Sequence, residues 1–179
     1  LNLLTPYEVV ENLQVSDPNG NLPNGEMQRI KALFTMVAGY PYDPKTRKFY
    51  QAIAQSKEPF QNVFQARVLI FYAQNRIPHF SLKDYQTIRS ELHQRAFIGV
   101  ADRRCAVGLG TSEGRSQFYK RVPMITNELQ LRAFLAVAAW EAEEDLNRSN
   151  ETLAISSVTN DFQASALELI GASFCSSRP

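Results

Sequence analysis

The residues best suited to chemistry are the basic side chains between positions 95 and 121. This stretch holds six arginine and lysine residues against two acidic ones, a local charge of +4 in a chain whose formal net charge is only +1. Guanidinium groups on a glycine-containing loop provide hydrogen-bond forks for phosphates, and Phe118 and Tyr119 nearby are stacking surfaces for unpaired bases. The sequence therefore predicts a nucleic-acid-binding surface, with RNA as the expected ligand, formed by Arg95, Arg103, Arg104, Arg115, Lys120 and Arg121.

The same stretch also has a plainer interpretation, a solvated loop whose charges only keep the protein soluble. Its glycines do not form a phosphate-binding loop, because five residues separate Gly108 from Gly114 where that motif requires four. Arg115 also stands where the motif requires lysine. Nucleotide binding is therefore not predicted, and no small-molecule substrate is identified.

An acidic cluster follows near the end of the next predicted helix. This stretch has a local charge of −4, because it holds five acidic residues and one basic residue, Arg148. The acidic residues are Glu141, Glu143, Glu144, Asp145 and Glu151. Opposite-sign patches in a nearly neutral chain favour association between neighbouring copies, so a homo-oligomer is expected. The alternative is an acidic helix end that simply faces water.

Arg67 lies within the most apolar helical pattern, on the same face as Val63, Phe64 and Phe71. Buried arginines are paired with an acidic group or bind an anion, so Arg67 is a candidate anion or ion-pair site. The alternative is that its stem follows the helix and its head reaches water.

No pattern predicts catalysis or metal binding. A thiol nucleophile would need Cys105 beside His79 or His93, and no spacing in the sequence brings them together. Glu141 and Glu144 could share a helix face, but no Glu-x-x-His partner accompanies them. The sequence therefore predicts a protein that is not an enzyme, with no catalytic residues, no metal and no cofactor.

Length and composition favour an ordinary globular protein. The chain has 179 residues, of which 44% are hydrophobic and 21% charged, and its apolar runs fall far short of the roughly 20 residues of a membrane span. The first residues lack the basic and apolar pattern of a signal peptide, and two cysteines do not make a disulfide scaffold. A cytoplasmic protein, or a virion component if viral, is expected, with no membrane partner.

Apolar residues recur at helical spacing through most of the chain. Residues 1–25, rich in proline and asparagine, are predicted to be an arm with one short helical stretch. The longer helices are predicted to begin at Asn24, near Arg47, at Pro59, at Ser81, at Thr126 or Asn127, and after Thr159 or Asn160. The helix that begins at Ser81 is predicted to continue through Ala96.

These elements predict an all-α fold, an antiparallel bundle of five or six helices with a long Gly/Arg loop and a flexible N-terminal arm. The expected organisation is an arm over 1–25, a bundle domain over 26–175 and a tail over 176–179. The loop is expected to interrupt the bundle over 99–123, with a short strand near 118–122.

Two functions from different classes follow. The first is a self-assembling structural protein that binds nucleic acid, and in architecture it is similar to the coat proteins of helical RNA viruses, which combine a small bundle, flexible termini and a basic inner loop. The second is a protein-binding adaptor or regulator without catalytic activity, with the aromatic turn 40–42 and the arm as its contact surfaces.

Overall fold

The computed structural model describes residues 3–39, 43–77, 81–102, 118–141 and 155–176. These ranges contain eight α-helices, two 3-10 helices and no strand, which confirms the all-α class. The α-helices are α1 (Pro6–Glu11), α2 (Asn24–Val37), α3 (Pro44–Gln55), α4 (Val63–Gln74), α5 (Leu82–Gln86), α6 (Glu91–Asp102), α7 (Glu128–Glu141) and α8 (Asp161–Ser176). The 3-10 helices are Val122–Met124 and Ile155–Ser157.

The chain divides into two compact units, Leu1–Gln94 and Arg95–Pro179, whose boundary falls within α6. In the first unit, α4 is the central element, because ten of its twelve residues are buried. Helices α1 and α2 pack on α4, and α3 packs on α2. The ring of Phe34 on α2 meets those of Tyr50 and Phe60 edge to face, at 6.1 and 5.6 Å between centroids. The face of α2 that carries Ile30, Phe34 and Val37 is therefore buried.

Helix α4 begins four residues later than the sequence predicted. Pro59 and Phe60 are buried ahead of the helix, and the helix starts at Val63 because Asn62 caps it. The side-chain oxygen of Asn62 accepts the backbone N–H of Gln65 at 2.8 Å, and the side chain of Gln65 accepts the N–H of Gln61 at 2.8 Å. This reciprocal arrangement satisfies two N–H groups that would otherwise lack partners at the helix start.

The prediction of one continuous helix from Ser81 through Ala96 is wrong. Ser81 caps Asp84 as expected, at 3.1 Å, but the helix stops at Gln86, and Ser90 opens α6 by accepting the N–H of His93 at 3.2 Å. Between the two helices the carbonyl of Ile88 accepts the side-chain N–H of Asn62 at 2.9 Å. The carbonyl of Ile88 is thus bonded to a side chain 26 positions away in the sequence. It does not accept the helical hydrogen bond that the local apolar spacing had predicted for it.

The segment predicted to be an arm is folded onto α4 over much of its described length. Tyr7 on α1 meets Phe71 edge to face at 5.0 Å, and Val10 is fully buried. Gly20, in the left-handed region at φ 69°, accepts the N–H of Val63 through its carbonyl at 2.7 Å. Contacts of α1 and of the turn at Gly20 therefore restrict the flexibility that was expected of residues 1–25.

In the second unit, α7 and α8 pack on each other through small side chains. Ala133, Ala136 and Val137 of α7 are buried with Ala164 and Leu167 of α8. Of the two start positions that the sequence offered for each helix, Asn127 and Asn160 are the caps, and they accept the N–H groups of Gln130 and Gln163, each at 2.9 Å.

Two predictions for residues 99–123 are wrong where the structure describes them. Residues 99–102 continue α6 and do not begin a loop, and a Cβ on Gly99 would lie 2.4 Å from Cδ2 of Leu135. The absent side chain thus lets α6 approach α7 closely. The strand expected near 118–122 is also absent, since Phe118 and Tyr119 are helical and Val122–Met124 is a 3-10 helix.

Candidate functional site

The structure describes half of the predicted nucleic-acid-binding surface. Arg95, Lys120 and Arg121 lie within the described residues, whereas Arg103, Arg104 and Arg115 lie outside them. The grouping of all six side chains on one surface therefore stays a prediction.

Arg95 is paired within its own chain. Its guanidinium donates to the carboxylate of Glu128, the first residue of α7, and the two side chains are 45% and 64% exposed. Water screens such a pair, so it contributes little to stability, but it offsets the charge that Arg95 would present to a phosphate. Arg95 is thus poorly suited to bind a phosphate, because Glu128 already offsets its charge.

Lys120 and Arg121 lie at a surface that is anchored by aromatic residues. Lys120 is exposed, and the guanidinium carbon of Arg121 lies 5.7 Å from the ring centroid of Phe118. Phe118 and Tyr119 are only 1% and 2% exposed, and Tyr119 stacks on Phe97 at 4.7 Å. The prediction that these two rings offer stacking surfaces for bases is therefore wrong, because they are enclosed in the protein and position the basic side chains instead.

The acidic cluster falls almost wholly outside the described residues. Glu141 is the last residue of α7, and Glu143, Glu144 and Asp145 follow it beyond that range. Its expected contact with a neighbouring copy stays a prediction.

Arg67 is buried, and its guanidinium holds the end of α1. Its Nε donates to the carbonyl of Val10 at 3.0 Å, and its Nη2 donates to those of Glu11 and Leu13 at 3.3 and 2.8 Å. Its Nη1 donates to the side-chain oxygen of Gln94 at 3.2 Å. The described residues place no carboxylate within ion-pair distance, so these hydrogen bonds all go to neutral oxygens.

The environment of Arg67 explains how a charge is held there. Burial lowers the pKa of Arg67, and the negative charge of Glu91 opposes that shift. Carbonyls at the C-terminal end of a helix carry partial negative charge, so three of them stabilise a guanidinium without an acidic partner. Burial, followed by the charge of Glu11, raises the pKa of the neighbouring Tyr7 to about 12, so Tyr7 stays neutral at physiological pH.

A cleft of about 400 Å³ lies beside this anchor, between the segment after α1 and the start of α2. Leu13, Val15, Leu22 and Pro23 form its apolar walls, and Asp17 and Glu26 are its charged lining. Sequence reasoning missed this cleft, because its residues come from a turn and a helix start that carry no motif. The only local signal was Asp17-Pro18-Asn19-Gly20, which indicates a turn.

An apolar face of α8 points away from its packing on α7. Phe162 is 86% and Leu169 74% exposed, and Ala166 and Ile170 lie beside them on the side opposite Ala164 and Leu167. A helix with apolar residues on opposite sides is typical of one that is covered on both.

Arg132 links α7 to the polar edge of α8. It donates to Glu168, to Asp161 at 2.5 Å and to the hydroxyl of Ser165 at 3.1 Å. Hydrogen bonds from Arg132 lower the pKa of Asp161, and Glu168 with Asp161 raises that of Arg132.

Within the described ranges, no group of three or more His, Cys, Asp or Glu side chains is arranged to hold a metal ion. None of the helices in that part of the chain is both long and apolar enough to cross a membrane. Compared with known proteins, the chain matches no family model, no curated protein and no solved structure.

Proposed function

We propose that this protein is a structural protein that binds single-stranded nucleic acid, RNA in particular, and associates with copies of itself. The observation that carries the proposal is the charge of +4 between positions 95 and 121 in a chain of net charge +1. The exposed Lys120 and the adjacent Arg121 support it, because they form the described end of that segment. The proposal keeps the antiparallel bundle of five or six helices and the Gly/Arg loop as its architecture.

The apolar face of α8 supports self-association. Phe162, Leu169 and Ile170 would be removed from water by a neighbouring copy, and the removal of apolar surface from water favours association. Opposite-sign patches at 95–121 and 141–151 would add a contact that weakens with salt.

The direct test measures binding of a fluorescent single-stranded RNA by anisotropy over a range of salt concentrations. Replacing Arg103 and Arg104 together by alanine should weaken binding about tenfold or more and make the logarithmic salt slope shallower by roughly 1.4, since each phosphate contact on a single strand contributes about 0.7. Arg29→Ala is the matched control, because Arg29 is exposed on α2, outside the basic segment.

Unchanged affinity and slope in the double variant would contradict the proposed surface. The alternative, a protein-binding adaptor, would gain support from a protein that stays monomeric and retains no RNA at low salt. The aromatic turn 40–42 of that alternative lies outside the described residues.

A further inference from the structure

Helix α6 begins with a cap that contains a histidine. The hydroxyl of Ser90 accepts the backbone N–H of His93 at 3.2 Å, and Nδ1 of the His93 ring accepts the backbone N–H of Arg89 at 3.0 Å. The same arrangement opens α4, α7 and α8, where the residue in the place of His93 is a glutamine. A glutamine oxygen remains an acceptor across the physiological pH range, whereas a ring nitrogen becomes a donor when it takes up a proton. Of these four caps, the one on α6 is therefore able to titrate.

The hydrogen bond from Arg89 requires the neutral form of the His93 ring. A backbone N–H can only donate, so Nδ1 carries no proton in this arrangement. Protonation would place two N–H groups against each other, and it would add a positive charge to the first turn of α6, where the helix dipole disfavours one. The neutral ring thus stabilises this helix start, and the protonated ring opposes it.

Burial, and not a neighbouring charge, determines how His93 titrates. Burial of the half-buried ring lowers its pKa from the ordinary value of 6.5, and a hydrogen bond with the backbone of Thr87 opposes that shift. The stabilisation by the neutral ring is therefore complete above about pH 6.5 and is lost as the pH falls through the lower folded value. The charged and titratable groups on α6 and on the elements near its start are Glu91 and Arg95 on α6, Arg89 ahead of it, Lys83 and Asp84 on α5, Arg67 on α4, and Tyr7 and Glu11 on α1.

We propose that the start of α6 is an acid-sensitive switch, in which protonation of His93 releases the N–H of Arg89 and opens the link between α5 and α6. The effect extends towards α1, because the next residue, Gln94, accepts a hydrogen bond at 3.2 Å from Arg67, which holds the end of α1. Acid thus loosens the helix start that supports the anchor of the N-terminal segment. The switch does not depend on the proposed nucleic-acid binding, which uses other residues.

The test follows the ring nitrogens of His93 and the backbone amides of the whole chain by NMR between about pH 7.5 and about pH 4.5. The ring should titrate with a midpoint below about 6.5, and the amide proton of Arg89 should shift with the same midpoint. Hydrogen exchange at Arg89, corrected for its intrinsic pH dependence, should become at least about threefold faster across that midpoint. The amides of Thr126 and Thr159, which glutamine side chains hold in the equivalent caps, should show no such change.

His93→Gln is the matched variant, because it gives α6 the residue that the other three caps use. It should keep the Arg89 amide protected and abolish the response of that amide to pH over the same range. His79→Gln removes the other histidine of the chain and should leave the response of Arg89 unchanged.

The titration of the unsubstituted chain tests the proposal without any variant. A ring that titrates without moving the Arg89 amide, that stays neutral to about pH 4.5, or that has a midpoint at or above about 6.5 would overturn the proposal. An undiminished response of Arg89 in His93→Gln would overturn it as well. None of these results would alter the RNA test, so the two proposals fail separately.

Discussion

At the scale of single residues, the first unit depends on groups that accept or donate several hydrogen bonds at once. Arg67 is the main example, because one guanidinium donates to the carbonyls of Val10, Glu11 and Leu13, at and just beyond the end of α1. Its role is to hold an N-terminal segment that has too few residues to be stable as an isolated helix.

Replacing Arg67 by Met should therefore lower the free energy of unfolding by roughly 2–4 kcal/mol, because three carbonyls and the side-chain oxygen of Gln94 lose the hydrogen bonds of the guanidinium in a largely buried setting. Urea denaturation measures this effect, and faster hydrogen exchange at the amides of α1 should accompany it. Arg29→Met, at an exposed position, should change stability by no more than about 0.5 kcal/mol. Equal effects of the two substitutions would show that the anchor is not needed.

Two glycines offer a second comparison at this scale. Gly20 has φ 69°, and an added Cβ would lie 2.6 Å from the ring of Phe64. Gly20→Ala should thus destabilise the protein by about 1–3 kcal/mol through strain and displacement of that ring. Gly25 lies in the first turn of α2 with nothing within 4 Å, so Gly25→Ala should stabilise the protein by about 0.5–1 kcal/mol. Thermal unfolding of the two variants should shift in opposite directions, and a shared direction would contradict this account.

At the scale of elements, three helices begin with the same device. In α4, α7 and α8 an asparagine accepts the N–H of a glutamine three residues on, and the glutamine side chain accepts the N–H of the residue before the asparagine. The asparagines are Asn62, Asn127 and Asn160. The side chain of Asn62 has a second task, because it also donates across the unit to the carbonyl of Ile88.

This second task predicts different responses to one substitution. Asn62→Asp keeps the cap but replaces a buried donor by a carboxylate that faces the carbonyl of Ile88, so it should cost about 2–4 kcal/mol. Asn160→Asp places the same carboxylate at an exposed helix start, where the change should be within about 0.5 kcal/mol and can be favourable. Denaturant midpoints of both variants give the comparison. A small effect at Asn62 would mean that Ile88 finds another donor.

The stability of the packing between α7 and α8 should depend on pH. Hydrogen bonds from Arg132 lower the pKa of Asp161, so the stabilisation that this carboxylate provides is present above its unfolded pKa of about 4 and is lost as the pH falls through the lower folded value. Asp161→Asn should therefore differ from the unsubstituted chain at about pH 6 and approach it near about pH 2. Urea midpoints against pH measure the effect. In an Arg132→Met background the effect of Asp161→Asn should shrink at every pH.

At the scale of the whole molecule, the apolar face of α8 predicts association that resists salt. Leu169→Glu should lower the average mass in sedimentation velocity, because a charge would replace a side chain that is 74% exposed and available to a neighbouring copy. Met36→Glu is the control, since Met36 is an exposed apolar side chain on α2. Association that disappears in high salt would instead assign the contact to the opposite-sign patches. A monomer under all conditions would contradict self-association altogether.

What the sequence determined by itself was the local structure. Spacing of apolar residues identified the helical class. The cap at Ser81 was correct, and the caps Asn127 and Asn160 were each one of two positions offered, because a cap joins residues only three positions apart. The basic segment could be located from charge alone, but its binding of nucleic acid stays a prediction.

Only the tertiary structure decided features whose partners lie far apart in the chain. The break before α6 depends on Asn62 reaching Ile88, and the role of Arg67 depends on carbonyls more than 50 residues away. The cleft at Glu26 likewise exists only because the segment after α1 folds back on α2. Periodicity reports which face of an element is apolar, whereas these hydrogen bonds and cavities depend on which elements meet, and that choice is made by packing over the whole unit.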